Sequence, residues 1–310
     1  MSPKSDASST AHITPQITLI PAINAWQLYL NDQGNSPHTI KAFVADLKLL
    51  AAYLAPDRTL GSLSTTDLNN FLDWMQKGRG VPCSPKTLAR RITSIKAFFR
   101  WLHEYGVLLI DPAEKVVQRS VISPLPQVLT VEEVEAIYRV AEDFRNNPPH
   151  DTRYFALLDL LLHTGIKKSE TITLQVNHID FDAPNSPILF VRYTSPQYRY
   201  KERKIPLPES WVTVFPKYKA QYKITDAVFP WSQRRLEYLL EDLSLQAGIT
   251  KHVSFEMCRW TCALSDWLSG MEPEQVRQKL GISKIQWREV GMKLRRLADQ
   301  RGVYSQPLLL

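Results

Sequence analysis

The sequence predicts two consecutive domains: an all-α module first, then a mainly α domain built around one small antiparallel β-sheet. Three observations predict this. Four successive stretches in the first third carry apolar residues at helical spacing, and a proline-rich stretch without helical period follows them. Beyond it, helical patterns resume on both sides of two short alternating segments. At 310 residues the chain is long enough for two cores. Its 44% hydrophobic and 10% aromatic content excludes a disordered or fibrous chain.

Residues 1–16, MSPKSDASSTAHITPQ, are rich in Ser, Thr and Pro and have neither an apolar signal-peptide core nor an Arg-rich amphipathic face, so they read as a disordered arm. The helical domain is assigned to 17–110. In ITLIPAINAWQLYLNDQG the residues Ile20, Ile23, Trp26 or Gln27, and Leu30 fall on one face, and the helix ends near Gly34. In SPHTIKAFVADLKLLAAYLA, Ser36 is the N-cap and Pro37 the first helical residue, with a stripe of Ile40, Phe43, Leu47 and Leu50. STTDLNNFLDWMQ begins a third helix with Leu68, Phe71, Leu72 and Met75 apolar. SPKTLARRITSIKAFFRWLHEYG is the fourth, again opening on Ser-Pro and closing on Gly.

Residues 111–129 hold three prolines and read as a linker. The second domain is assigned to 130–310, opening with a capping box of Thr130 and Glu133. The helix TRYFALLDLLLHTG follows. Paired strands are predicted at 188–193 and 204–207, then helices at 233–246, 255–269, 273–280 and around 286–300.

The net charge of +7 fits a phosphate-rich partner. Cys83, Cys258 and Cys262 are too few and too odd in number for a disulfide framework, which points to a reducing, cytoplasmic setting (nucleoid-associated if bacterial). Cys258 and Cys262 share a helix face but lack further ligands, so they read as small core residues and no metal site is assigned. No run of eighteen apolar residues exists, so no membrane span is expected.

Two stretches carry chemistry. In LLHTGIKKSETITL, the Thr164-Gly165 turn delivers Lys167 and Lys168 to the start of a fresh helix, where backbone N–H groups favour an anion. In SPKTLARRITSIK, Lys86, Thr87, Arg90, Arg91 and Ser94 lie opposite Leu88, Ile92 and Ile95. A helix with that basic and hydroxyl face can enter a major groove, arginine reading guanine and the others holding phosphates. His38, Thr39 and Lys41 offer a similar, smaller set. His252 reads as a surface histidine.

The order of these features resembles the tyrosine recombinases of the phage integrase family, over roughly residues 17 to 295. SPHTIKAFVADLKLLAAYL and SPKTLARRITSIKAFFRWLHEYGVLLIDPAEKV are similar to that family's N-terminal core-binding, SAM-like four-helix domain. PLPQVLTVEEVEAI resembles the entry to its catalytic domain, and LLHTGIKKSETITLQVNHID the segment carrying its first active-site arginine. YKERKIPLP resembles the β-hairpin whose lysine serves the active site, and HVSFEMCRWTCALSDWLSGMEPEQVRQKLG the helix pair with its other basic residues. The resemblance implies cleavage of DNA by attack of a tyrosine on a phosphodiester. Cations would neutralise the phosphorane and histidines would assist with protons, without metal or cofactor.

Carried over position by position, the first arginine falls on Lys167, which keeps the charge but not the bidentate fork. The hairpin lysine falls on Tyr198, with Arg199 or Lys201 able to supply the charge. In the family's His-x-x-Arg pattern Arg259 matches and Glu256 occupies the histidine position; the later histidine falls on Ile282 and the tyrosine on Gly291. Glu256 and Arg259, three apart on a helix, are expected to pair, alongside or instead of a phosphate contact at Arg259. A carboxylate facing a phosphate repels it by about 4 kcal/mol at ~4 Å and an effective dielectric of ~20.

The sequence therefore leads to the expectation of a recombinase fold that is not an enzyme, a site-specific double-stranded DNA binder acting as regulator or accessory factor. Its two domains would clamp the duplex. Arg199, Lys201, Arg203, Arg234, Arg235, Lys167 and Arg259 are assigned to DNA along with the basic faces above. One alternative is an active recombinase whose nucleophile is relocated to Tyr304, and another is a protein-interaction scaffold. The tail RGVYSQPLLL is expected to pack on a second copy or on an active recombinase.

Overall fold

In the computed structural model, residues 13–117, 124–184 and 186–301 are described. Residues 1–12 of the expected arm, 118–123 of the expected linker, and Tyr304 with the rest of the tail lie outside them. The chain divides into two compact units, Met1–Pro124 and Leu125–Leu310.

The first unit contains α1 (Leu19–Asp32), α2 (Pro37–Tyr53), α3 (Thr65–Asp73) and α4 (Pro85–Glu104), with a π-helical turn, Trp74–Gly78, after α3. Local chemistry sets the helix starts. Ser36 Oγ accepts from Thr39 N–H at 3.1 Å and Ser84 Oγ from Thr87 N–H at 3.3 Å, each followed by proline at the first helical position. The stripes predicted from periodicity converge on a core of Trp26, Leu47, Leu50, Phe71 and Ile95, which Phe98 joins; Ile20, placed on the first stripe, is exposed instead. Trp26 stacks on Phe43 and meets Phe98 edge-on, with ring centroids 6.0 and 5.4 Å apart.

Two predicted boundaries shift. Pro15, placed in the expected arm, accepts from Gly61 N–H at 2.7 Å, and Ile13 packs on the core. Ala113 and Val116, placed in the expected linker, are buried in the same core. A chain segment with backbone partners and apolar cover is no longer free to behave as an arm or linker.

The second unit runs α5 (Val131–Asn146), α6 (Arg153–Thr164), α7 (Lys168–Ile172), β1 (Ile179–Asp180), β2 (Ile188–Val191), β3 (Arg203–Pro206), α8 (Glu209–Tyr222), α9 (Gln233–Gln246), α10 (Phe255–Leu268), α11 (Pro273–Leu280) and α12 (Lys284–Gln300). Helix α6 is apolar on nearly every side because α5, α8, α9 and α10 all pack against it. Its one buried carboxylate, Asp159, accepts from Tyr138 Oη at 2.8 Å and Ser210 Oγ at 2.7 Å. The sheet is antiparallel in the order β1-β2-β3, with Leu189 opposite Ile205 and Phe190 opposite Lys204. Leu189, Val191 and Ile205 are buried, while Phe190 and Lys204 point outward, as a two-residue period requires. A separate cluster of Leu264, Val276, Leu280, Leu294 and Leu297 joins α10, α11 and α12.

Candidate functional site

Two left-handed glycines build the site's frame. Gly165 (φ 59°) ends α6, and a Cβ there would meet Cys262 Sγ at 3.2 Å. Gly281 (φ 58°) ends α11, and a Cβ there would lie 2.6 Å from Arg203 Nη1. Arg259 on α10 joins the two turns, donating to Gly165 O and Leu280 O. It is 8% exposed, and burial pushes its guanidinium below the ordinary range. No ion pair joins it to Glu256 among the described residues; Glu256 is exposed and accepts instead from Trp260 Nε1 at 2.8 Å. The expected intrahelical pair is therefore corrected. Two backbone carbonyls across the fold hold the guanidinium better than an exposed carboxylate on its own helix.

Lys167 follows the first turn. Its backbone N–H is taken by Glu170 Oε2 at 2.8 Å, and α7 is barely one turn long, so the expected anion site on that helix start is occupied from within. The cationic side chain remains. It is half-buried, and its pKa is lowered to about 8 by burial, with Arg259, Lys201 and Arg203 opposing the attraction of Glu170. It lines a cleft of about 250 Å³ with Lys168, His252, Ser254, Glu256 and Arg259. Glu237 lines the same cleft and pairs there with Lys168 at 2.8 Å.

Glu170 organises the opposite side. Arg203 donates to both its oxygens, at 3.0 Å from Nη1 and 2.9 Å from Nη2, and Tyr193 Oη donates to the first of them. Although burial works against it, this hydrogen bonding holds the Glu170 carboxyl down at about 2. The Arg203 side chain is only 7% exposed, and Nε donates to Lys279 O at 2.6 Å. Arg203, assigned to DNA from the sequence, is thus turned inward as the partner of Glu170. Neither Glu170 nor Tyr193 was singled out by sequence reasoning; the three-residue step from Lys167 to Glu170 was the available signal.

The remaining expected positions are spread around this centre. Tyr198, Arg199 and Lys201 lie in a 3-10 turn, Pro196–Lys201, between β2 and β3. Lys201 Nζ sits 4.4 Å over the Tyr198 ring and 5.2 Å over Tyr200. The cation is thus carried on the face of the tyrosine that stands at the expected lysine position. Ile282 packs into the α10–α12 cluster, and Gly291 lies against the Trp287 indole. Arg234 and Arg235 are exposed at the start of α9.

In the first unit, the basic face of α4 is only partly outward. Lys86 is exposed. Arg90 Nη1 lies 2.5 Å from the buried carboxylate of Asp46 on α2, and Arg91 Nε 3.3 Å from it. Ser94 is fully buried and donates to Asp46 at 3.1 Å. The expected solvent-facing hydroxyl at Ser94 is corrected: one turn below the basic residues, the stripe passes under α2. On α2, His38 and Lys41 are exposed, while Thr39 shares a 2.8 Å hydrogen bond with the Ser36 cap. Among the described residues no group of His, Cys, Asp and Glu is placed to hold a metal, and no helix is long and apolar enough to cross a membrane.

Residues 23–106 match the N-terminal SAM-like domain of phage integrases and residues 127–288 match the phage integrase family. The chain belongs to the phage integrase family, with the two-domain tyrosine-recombinase fold. Tyrosine recombinase XerD of Listeria innocua serovar 6a is 25% identical over 289 residues, 89% of this chain and 94% of that one. Tyrosine recombinase XerC of Lacticaseibacillus casei is 26% identical over 275 residues, 85% of this chain and 90% of that one. Among solved structures, a lambda integrase dimer bound to a COC' core site matches with TM-score 0.73 at 14% identity, over 99% of this chain and 85% of that one. These relatives overturn the expectation that the chain is not an enzyme. Proteins matched along nearly its whole length are named recombinases. The apparent substitutions at Glu256, Ile282 and Gly291 rest on spacing alone, and Tyr304 lies outside the described residues.

Proposed function

We propose that this chain is a site-specific recombinase acting on double-stranded DNA, with a backbone phosphate seated in the cleft at Lys167. The observation that carries the reading is the gathering of cations around that cleft. Lys167 enters it directly, Arg259 lies in its wall, and Lys201 is close enough to depress the lysine's pKa. Of the two carboxylates that line the cleft, Glu237 is paired with Lys168 and Glu256 accepts from Trp260 Nε1. The cations left over repel one another until an anion arrives, and a phosphate that becomes a phosphorane gains more from them than the ground state does.

Tyr304 is the proposed nucleophile. It is the one tyrosine beyond Tyr238; of the tyrosines near the cluster, Tyr193 gives its hydroxyl to Glu170, and Tyr198 and Tyr200 carry Lys201 on their ring faces. The Tyr304 hydroxyl would give up its proton to water as its oxygen attacks phosphorus, forming a phosphotyrosyl bond while the bond to one deoxyribose oxygen breaks. The freed oxygen takes a proton back from water to become a hydroxyl. Rejoining reverses these steps. A nicked suicide duplex that traps the covalent intermediate tests the reading: an adduct on Tyr304, absent in Tyr304→Phe, is expected. Salt-sensitive duplex binding without any adduct would refute the recombinase reading, and absence of duplex binding would refute both parts.

A further inference from the structure

Beside the Lys167 cleft lies a second, larger hollow of about 1160 Å³, bounded by the end of α7, the turn at 175–178, the outer face of β2 and the segment 192–204. Its volume slightly exceeds the range that suits a drug-sized ligand, about 300–1,000 Å³. The segment reads RYTSPQYRYKERK, aromatic and basic residues in alternation. The fold keeps that alternation in space. Arg192 and Lys204 both lie over the outward ring of Phe190, at 5.5 and 4.9 Å from its centroid. Lys201 lies over Tyr198 and Tyr200, and Tyr198 is 5.9 Å from Tyr193. Tyr198 and Arg199 line the hollow; Tyr200 and Lys201 follow them in the chain outside its lining, and Tyr200 is 68% exposed.

The charge balance of this region is one-sided. Arg192, Arg199, Lys201 and Lys204 form no salt bridge among the described residues, whereas Arg203 and Glu170 neutralise one another. Glu202 is tied to the backbone, accepting from Tyr193 N–H at 2.9 Å. Unneutralised cations beside ring faces suit a polyanion that carries flat π-systems of its own. A paired duplex meets only half of that description, because its base faces are stacked on each other. Unpaired nucleotides meet all of it: phosphates for the cations, and bases to stack on the rings. Gln175 and His178 line the floor. His178 Nδ1 accepts from Gln175 N–H at 3.3 Å, which leaves its second ring nitrogen for a base edge.

We propose that this hollow and the 192–204 segment form a stacking site for unpaired nucleotides, so that the preferred substrate is duplex DNA carrying an extrahelical or locally melted base. The inference rests on the DNA-binding reading above and specifies its substrate class. The test compares a fully paired duplex with the same duplex carrying a short unpaired adenine bulge, at one salt concentration, with 2-aminopurine in the bulge as a stacking reporter. The wild type is expected to bind the bulged probe about tenfold more tightly and to quench 2-aminopurine. Tyr200→Ala and Phe190→Ala should each lower that preference severalfold and leave paired-duplex affinity unchanged, while Tyr200→Phe keeps it. Equal affinity for the two probes, with the paired duplex still bound, would overturn the stacking site and leave DNA binding standing. Failure to bind either probe would overturn both. A preference that survives both alanine variants would place bulge recognition elsewhere and so overturn this assignment.

Discussion

With a phosphate at Lys167, as proposed, DNA affinity should depend on pH in a window where an arginine's would not. With its pKa near 8, the side chain is largely charged at neutral pH and largely neutral above about 9. Binding a phosphate requires the charged form. Each pH unit above about 8 therefore adds about 1.4 kcal/mol of recharging cost, a tenfold loss of affinity. The loss stops when it equals the value of the contact, about 1.5–3 kcal/mol for a hydrogen bond to a charged group. From about pH 7.5 to about 9.5, wild-type affinity for a duplex should fall roughly ten- to thirtyfold. Lys167→Arg should remove most of that fall, since arginine stays protonated throughout. Fluorescence anisotropy at constant ionic strength measures both profiles. The thiols of Cys258 and Cys262, pushed up to about 12 by burial, stay protonated over this range. Parallel slopes for wild type and Lys167→Arg would refute the placement of a phosphate at Lys167.

Three further outcomes follow from the packing. Glu170, held near pKa 2 against an ordinary 4.5, contributes about 3 kcal/mol that is fully present above pH ~4.5 and lost as pH falls through about 2. Glu170→Gln should lower neutral-pH stability by a similar amount in urea and flatten the acid limb; an unchanged acid limb would refute it. Gly281→Ala should cost about 1–3 kcal/mol from backbone strain, more if Arg203 is displaced. That excess should shrink in an Arg203→Ala background, and full additivity would show that the Cβ does not disturb Arg203. Asp46→Ala should destabilise the first unit by about 3 kcal/mol because Arg91 and Ser94 lose their buried acceptor; a change under ~1 kcal/mol in chemical denaturation would count against that network.

Local signals were legible in the sequence because their causes are local. The caps at Ser36, Ser84 and Thr130 act within three residues, and α9 and α11 begin and end at the predicted positions. Helix α8 escaped because Pro216 sits inside it, and β1 because two residues make no pattern. The site was legible as a list of charges and illegible as a network. Arg259 reaches carbonyls 94 and 21 residues away, so its own neighbour Glu256 was the wrong partner to expect. Likewise, a helical wheel of α4 cannot show that Asp46 of α2 lies beneath Arg90, Arg91 and Ser94.

The two carbonyls that hold Arg259 settle its conformation before any ligand arrives. A guanidinium that must swing toward a phosphate loses side-chain freedom in the act of binding, and part of the attraction is spent on that ordering. Here the ordering is completed during folding, because the same contacts close the ends of α6 and α11. To a phosphate in the cleft, as proposed, Arg259 would be a fixed source of field rather than a moving hand. Its effect on a negative charge is set by the backbone geometry of two helix ends.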